Sequence, residues 1–328
     1  MIGSHDRCQV GAARWVACAG VWVILVMTVS CSPASRREDP ARLQQTASLI
    51  EEVKAFGQTL GIKPTDALRR VASDEPSLSM LWLWMQREGT LALRGPVDIR
   101  LAIGLQKKNV APRIEQVYEV AGYSVYYRQG DEFADARSVA SVGFAGEPLV
   151  RRVTVILHED LHGDVNFALP WEMEEAIVTP LGCLAAIEYF RQKGNVKELA
   201  NAMSFMAEER KLSLELMALV AKAETIFATE RVASGKQKIL KELARFPNYQ
   251  RQFQRQTRNQ HPATVIEAKL SHDLAYYRYF DRIAALADKA PNLRTLIDDL
   301  KELPGDATPV LIDKRLSALL SKYGAVAK

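Results

Sequence analysis

Apolar residues recur at helical spacing along most of this chain. Residues 41–60 carry them every three or four positions, and Gly61 ends the run. A period of 3.6 residues is typical of amphipathic helices. The same pattern predicts further helices from about residue 150 almost to the end, at 195–230, 250–290, 292–303 and 311–323. In 195–230 it predicts a core-facing stripe of Leu199, Met203, Met206, Leu212, Leu216, Leu219 and Val220.

Residues 78–128 have a different pattern. Short segments rich in β-branched and aromatic residues, such as LSMLWLWM and YSVYYR, are separated by Gly or Pro. These features predict a small sheet. We expect Trp82 and Trp84 on opposite sides of one strand, in core packing rather than in ligand stacking. The pattern as a whole predicts a mostly α-helical α+β fold, with a small N-terminal sheet region and a helical C-terminal half.

The first thirty residues have the pattern of a secretory signal. Residues 1–14 are short, polar and basic, whereas residues 15–29 carry no charge. At about 1.5 Å per residue the apolar run spans about 22 Å, which is less than the roughly 30 Å of a bilayer core. The sequence therefore predicts a signal peptide at 1–30 rather than a membrane-spanning helix.

A candidate lipid attachment site follows the apolar run. Thr28-Val29-Ser30-Cys31 resembles the lipobox of bacterial lipoproteins, although Thr28 stands where that motif usually has Leu. The resemblance implies a lipid on Cys31, a polar tether at 31–40 and a chain anchored in the bacterial cell envelope, facing the periplasm. By resemblance to lipoproteins of Gram-negative bacteria, Ser32 after the lipidated Cys31 favours the outer membrane. An uncleaved anchor and a plain secreted protein are the alternatives.

Composition and cysteine content set further limits. With 48% hydrophobic and 25% charged residues, the chain is not wholly disordered. The 43 basic and 39 acidic residues give a formal charge of +4, which is too balanced to predict nucleic-acid binding. Of four cysteines, only Cys183 would remain as a thiol after removal of 1–30 and lipidation of Cys31, so we expect no intramolecular disulfide.

Residues 158–162 contain the chemistry-bearing motif, His-Glu-Asp-Leu-His. Positions i and i+4 share one face of a helix, so His158 and His162 can bind one Zn²⁺. Glu159 lies where it can take a proton from water bound to that metal. Asp160 departs from the usual uncharged residue at its position, and we expect it on the outer face or in contact with the groups behind the ligands.

A second predicted helix, which begins at Trp171, offers the third ligand that catalytic zinc sites usually have. The candidates are Glu172, Glu174 and Glu175. Glu175 shares a face with Gly182, and a glycine there would let the two helices approach closely. Glu174 is expected to point about 100° away, into solvent.

The motif HEDLH, with Glu175 thirteen residues later in EEAIVTPLG, resembles the gluzincin zinc peptidases, most closely bacterial lipoproteins described as aminopeptidases. The resemblance is firm over about residues 150–195. It implies zincin-like metal helices, with His158, His162 and Glu175 as zinc ligands and Glu159 as general base. The hydrophobic pattern divides the chain into an N-terminal α+β region at 41–150 and a helical region at 151–328, and the resemblance implies that the second region is metallopeptidase-like. Glu174 stands where relatives carry Asn, and this departure, with Asp160, leaves an inactive relative open.

A peptidase also needs a hydrogen-bond donor for the oxyanion of its tetrahedral intermediate. The C-terminal helices offer His272, Tyr276, Tyr277 and Tyr279. His272 lies nearest to a position where the resembled family carries Tyr, and His272 shares a helix face with Tyr276. These two are therefore the expected further catalytic residues, and a helix surface rich in amphipathic residues is the alternative.

The leading hypothesis is a lipid-anchored, zinc-dependent hydrolase that acts on peptide or protein substrates, with aminopeptidase activity as one form of it. The sheet region would form one wall of a cleft, and the zinc helices the other. Exopeptidase or endopeptidase action, substrate preference and oligomeric state stay open. The alternatives are a lipid-tethered binding or scaffolding protein without catalysis, and a pseudoenzyme that binds zinc without turnover.

Overall fold

The computed structural model describes residues 40–71, 80–91, 98–103, 114–130, 138–163 and 165–326. The predicted signal peptide, the lipid on Cys31 and nearly all of the tether lie outside these residues and stay predictions. Every helix in the described ranges is too short or too polar to cross a membrane.

Helices make up most of the described chain, as the apolar spacing predicts. The first half contains α1 (Pro40–Thr59), α2 (Ile114–Val117), α3 (Val142–Ala145) and α4 (Leu149–Leu161). The second half contains α5 (Trp171–Gln192), α6 (Val196–Thr229), α7 (Val232–Leu243), α8 (Pro247–Gln256), α9 (Pro262–Tyr277), α10 (Phe280–Ala287), α11 (Leu293–Lys301) and α12 (Pro309–Val326). The prediction of a mostly helical α+β fold is confirmed.

The strands form two small sheets. A three-stranded antiparallel sheet has the order β3 (Asp98–Ile103), β2 (Met80–Arg87), β4 (Tyr123–Gly130). A second, parallel pair joins β1 (Arg70–Val71) to β5 (Val139–Ala140). The larger sheet lies within the range 78–128 to within two residues, because β-branched and aromatic side chains suit a pleated surface.

The prediction that Trp82 and Trp84 face opposite sides is wrong. Residues two apart in a strand point to the same face, and both indoles lie in one aromatic layer beneath α9. The Trp84 ring lies 5.5 Å from the His272 ring and is buried. Trp82 is half-buried and lines a cavity, so it is not only a core residue.

Two details of the helical prediction are also wrong. The stretch 250–290 is not one helix. Pro262 has no backbone N–H to extend a preceding helix and instead starts α9. A further break separates α9 from α10. Met203 is 54% exposed, since Ala202, one position earlier, occupies the buried face of α6. The rest of the predicted stripe is buried or half-buried.

Helix α9 lies between the sheet and the helices that carry the motif. It packs against β2 and β4 and also against α5 and α6, while α4 packs against α5 and α1. One apolar cluster fills the space among α1, α4, α5 and α10–α12, and another fills the space among α6–α9. The space between α4, α5, α9 and β4 is where the candidate site lies.

Candidate metal centre

A cavity of about 500 Å³ contains every catalytic or metal-ligating residue that the sequence analysis selected. Its walls come from the larger sheet on one side and from helices α4, α5, α6, α8 and α9 on the others. The selected lining residues are His158, Glu159, His162, Glu175, His272 and Tyr276. The fold thus brings together residues that are more than a hundred positions apart in sequence.

Three of these side chains point their ligand atoms at a common centre. The Nε2 atoms of His158 and His162 are 3.1 Å apart. Oε2 of Glu175 lies 3.4 Å from the first of them and 3.5 Å from the second. Ligands held about 2.0–2.1 Å from a tetrahedral zinc are about 3.3–3.4 Å apart. The three atoms therefore form a triangle of the size of one face of a zinc coordination tetrahedron.

Oε2 of Glu175 is a carboxylate oxygen that a cation would stabilise. It is buried and has no hydrogen-bond partner among the described residues. Burial raises the pKa of the Glu175 carboxyl, but the two imidazoles outweigh burial and hold that pKa well below its usual range. A buried, ionised oxygen without a hydrogen bond is costly, so the donor set and its geometry fit a divalent metal.

The second histidine lies at the end of its helix rather than within it. α4 ends at Leu161, and His162 has extended backbone angles. Its Nδ1 lies 2.9 Å from Oε1 of Glu174, which also accepts a hydrogen bond of 2.9 Å from the backbone N–H of Gly163. A proton on Nδ1 leaves Nε2 with its lone pair for a metal.

Glu174 is buried, so the prediction that it is solvated is wrong. The helix rotates by about 100° between Glu174 and Glu175, so the Glu174 carboxylate points at the turn after α4. Gly163 in that turn has a φ of +85°. Burial lowers the pKa of His162, but the negative charge of Glu175 and the hydrogen bond to Glu174 raise it well above its ordinary value. The cluster therefore favours positive charge at this point.

Glu159 and Asp160 have opposite surroundings. Ligand atoms of Glu159, His158 and His162 lie within 4.8 Å of one another. Burial raises the pKa of Glu159, although nearby positive charges partly oppose it. Asp160 is directed away from the cavity and forms a buried ion pair with Lys54 of α1. Asp160 is thus not on an outer face, and its ion pair with Lys54 joins α4 to α1.

His272 and Tyr276 present different groups to the cavity. Oδ1 of Asp273 lies 2.8 Å from Nδ1 of His272. Burial tends to raise the pKa of Asp273, but Lys269 and His272 lower it to about 2. Burial lowers the pKa of His272 to about 4. At neutral pH the imidazole is therefore neutral, donates from Nδ1 and keeps Nε2 as an acceptor.

The Tyr276 hydroxyl stays protonated. Burial, together with the charges of Glu175 and Glu159, raises its pKa far above the ordinary value. The hydroxyl makes no hydrogen bond within the part of the chain that the structure describes. Of the two expected residues, Tyr276 is thus the one that offers a hydrogen-bond donor to the cavity at neutral pH.

Two features of the site were not selected from the sequence. Arg128 lines the cavity from β4; strand alternation with Tyr126 is the signal that places it on the inner face. The pair Lys269 and Asp273, one helical turn apart, is fully buried behind His272.

Comparison of the chain with protein-family models, curated proteins and solved structures finds no match in any of the three.

Proposed function

We propose that this protein is a zinc-dependent peptide hydrolase with His158, His162 and Glu175 as the metal ligands. The observation that carries the proposal is the triangle of 3.1, 3.4 and 3.5 Å among their ligand atoms. Zinc held by two imidazoles and a carboxylate supplies Lewis acidity, which polarises a carbonyl group and makes water more acidic. The donor set resembles that of gluzincin peptidases.

The remaining side chains of the cavity have complementary roles in this proposal. Glu159 accepts a proton from the attacking water and returns it to the leaving amine. Burial raises the pKa of this carboxyl, which strengthens the carboxylate as a base. Tyr276 donates its hydroxyl proton in a hydrogen bond to the developing oxyanion. His272, 5.0 Å from the Tyr276 ring between centroids, orients that ring.

The proposal includes a place for the protein in the cell. The uncharged run at 15–29 and Cys31 support a lipid anchor in a bacterial envelope, with the hydrolase facing the periplasm and the outer membrane favoured. A peptide or protein in that compartment is the substrate.

The experiment that tests the function measures metal and turnover together on the purified full-length chain. Elemental mass spectrometry should find about one zinc per chain in the unsubstituted protein and in Glu159→Gln, and none in His158→Ala. A mixed peptide library should be hydrolysed only by the unsubstituted protein. Full activity of Glu159→Gln would rule out this mechanism.

The same measurement separates the alternatives. Stoichiometric zinc without hydrolysis of any peptide would identify a metal-binding pseudoenzyme. Absence of metal even after zinc is supplied would refute the hydrolase and favour a lipid-tethered binding or scaffolding protein.

A further inference from the structure

Helix α8 and the turn after it carry a row of arginines that the proposed reaction does not use. Residues 243–266 contain four arginines and neither Asp nor Glu. Three of the four, the α8 arginines, are Arg251, Arg255 and Arg258. They lie four and three positions apart, which is the spacing of one helix face, and all three are exposed.

The residues that the structure describes do not neutralise the charge of this surface. Arg255 and Arg258 form no ion pair or side-chain hydrogen bond with any of them. Arg251 donates to the amide oxygen of Asn248 at 2.6 Å, which orients its guanidinium and leaves its charge in place. Arg245, the fourth arginine of the segment, pairs with Glu242 instead. The α8 arginines therefore present a concentrated positive charge to solvent.

The same helix forms part of the cavity wall. Gln252 and Gln256, one turn apart, line the cavity, and Arg255 immediately precedes the second of them. Burial raises the pKa of the lining residue Glu209, whereas the hydrogen bond from Tyr277 and the positive charge of Arg255 lower it. Arg255 thus lies on the solvent side of the wall and within electrostatic range of the cavity.

The cavity is open to solvent on this side. Among its lining residues, Arg151 of α4 is exposed, and Phe205, Glu209 and Gln256 are half-buried. Arg151 precedes His158 by two helical turns, so the two lie about 10 Å apart along α4. An extended peptide rises about 3.3 Å per residue, so about three residues reach from the proposed metal to this opening.

We propose that the α8 arginines bind an acidic segment of the substrate, at least about three residues from the bond that is cleaved. The inference rests on the proposed function and adds a substrate class to it, namely peptides or proteins with clustered Asp or Glu. Opposite charges across an interface speed the encounter and fix the orientation of the bound chain. A guanidinium suits this role because it presents two parallel donors to a carboxylate.

The position of α8 favours a substrate over an anionic membrane as the partner of this surface. A peptide that leaves the proposed metal through the opening beside α8 reaches the α8 arginines, because Gln252 and Gln256 place that helix in the cavity wall. A membrane surface would bind the arginines without any relation to the cavity.

The test measures binding rather than turnover, by fluorescence anisotropy on the full-length, zinc-loaded Glu159→Gln variant. Three labelled peptides of equal length share a central Ala segment. One carries a run of Glu before that segment, one carries it after the segment, and the third has Gln in place of every Glu. At low salt at least one Glu peptide should bind about tenfold more tightly than the Gln peptide, because each exposed ion pair contributes about a few-fold. The preference should shrink at high salt.

Substitutions assign the preference to the α8 arginines. Arg255→Gln combined with Arg258→Gln should remove most of it, whereas Arg255→Lys should retain most of it, because the charge remains. Lys289→Gln combined with Lys314→Gln is the matched control, which removes the same charge from exposed positions that do not line the cavity. Thermal unfolding verifies that each variant is folded, and the single variant Arg255→Gln decides if the double variant is not.

Equal binding of the three peptides, or an equal loss of preference in the lysine control, would overturn the proposal. Cosedimentation with phosphatidylglycerol vesicles tests the membrane. Vesicle binding that depends on the α8 arginines, without any preference for a Glu peptide, would also overturn it and identify a membrane-binding surface.

The proposed function can fail separately. Binding of a Glu peptide that depends on the α8 arginines, in a chain that hydrolyses no peptide, supports the acidic-segment site and refutes the hydrolase. Hydrolysis of peptides without any preference for an acidic segment refutes the site alone.

Discussion

Glu174 and Glu175 are neighbours in sequence, yet their carboxylates have different partners. One turns toward the Nε2 atoms of His158 and His162, and the other toward Nδ1 of His162. The 100° step of the helix separates them, so that one is a candidate ligand and the other orients a ligand. Substitution of Glu174 alone therefore tests the orienting role, and substitution of Glu175 alone tests the ligand role.

Glu174→Gln should weaken zinc binding by about 10- to 100-fold, because the neutral amide holds the imidazole less firmly than a carboxylate does. Competition with a zinc chelator measures the affinity. Glu172→Gln is the control, since Glu172 lies in the same first turn but does not line the cavity. Equal affinities in the two variants would contradict the orienting role.

Tyr276→Phe should reduce kcat by about 10²- to 10³-fold, the usual effect of losing one oxyanion donor, with zinc content unchanged. His272→Gln should reduce kcat much less, because neutral His272 presents an acceptor and not a donor. Tyr279→Phe controls for loss of a tyrosine hydroxyl outside the cavity. A larger loss in His272→Gln than in Tyr276→Phe would transfer the donor role to the imidazole.

At the scale of elements, the site depends on how closely α4 and α5 approach. A Cβ atom added at Gly182 of α5 would lie 3.0 Å from Cβ of His158 and 3.3 Å from its Cα. The expectation that Gly182 permits a close approach is therefore confirmed. The separation of the two helices sets the distance from the His158 imidazole to Glu175.

Gly182→Ala should lower the free energy of unfolding by about 1–3 kcal/mol, because the packed helices must shift to admit a methyl group. Zinc affinity should fall with it, since His158 moves with its helix. Gly324→Ala is the matched control in α12, where an added Cβ meets nothing within 4 Å. It should be neutral or stabilising by up to about 1 kcal/mol. Denaturant unfolding compares the two, and equal stabilities would refute the packing argument.

At the scale of the whole molecule, distant segments hold the end of the motif. Lys54 of α1 pairs with Asp160, which is 106 positions away. Asn166 donates to the backbone carbonyl of Asp160 at 2.6 Å, and Lys301 of α11 donates to Asn166 at 3.0 Å. An N-terminal and a C-terminal helix thus both support the turn that contains His162.

Lys54→Met should lower the free energy of unfolding by about 3–5 kcal/mol, because it leaves the buried Asp160 carboxylate with hydrogen bonds from Thr65 but without a counter-ion. The double variant with Asp160→Leu should recover much of that loss, since no uncompensated charge remains. Arg69→Met removes one partner of an exposed pair with Asp66, and should cost less than about 1 kcal/mol. Thermal and denaturant unfolding measure all three; additive losses in the double variant would show that the pair is not coupled.

The sequence by itself determined the features that depend on local spacing. The long helices, the small sheet, the i, i+4 histidines and the helix that carries Glu175 all follow from residues close in the chain, because period and backbone geometry act over a few residues. Strand geometry also puts Trp82 and Trp84 on one face, because residues two apart in a strand point to the same side. Gly182 could be selected because it shares a helix face with Glu175.

Only the tertiary structure decided what surrounds those residues. The burial of Glu174, the pairing of Asp160 with Lys54 and the place of Arg128 beside Tyr276 all join segments up to about a hundred and fifty positions apart. Whether a charged side chain meets solvent, a counter-ion or a cavity depends on which elements pack beside it, and no local period encodes that choice.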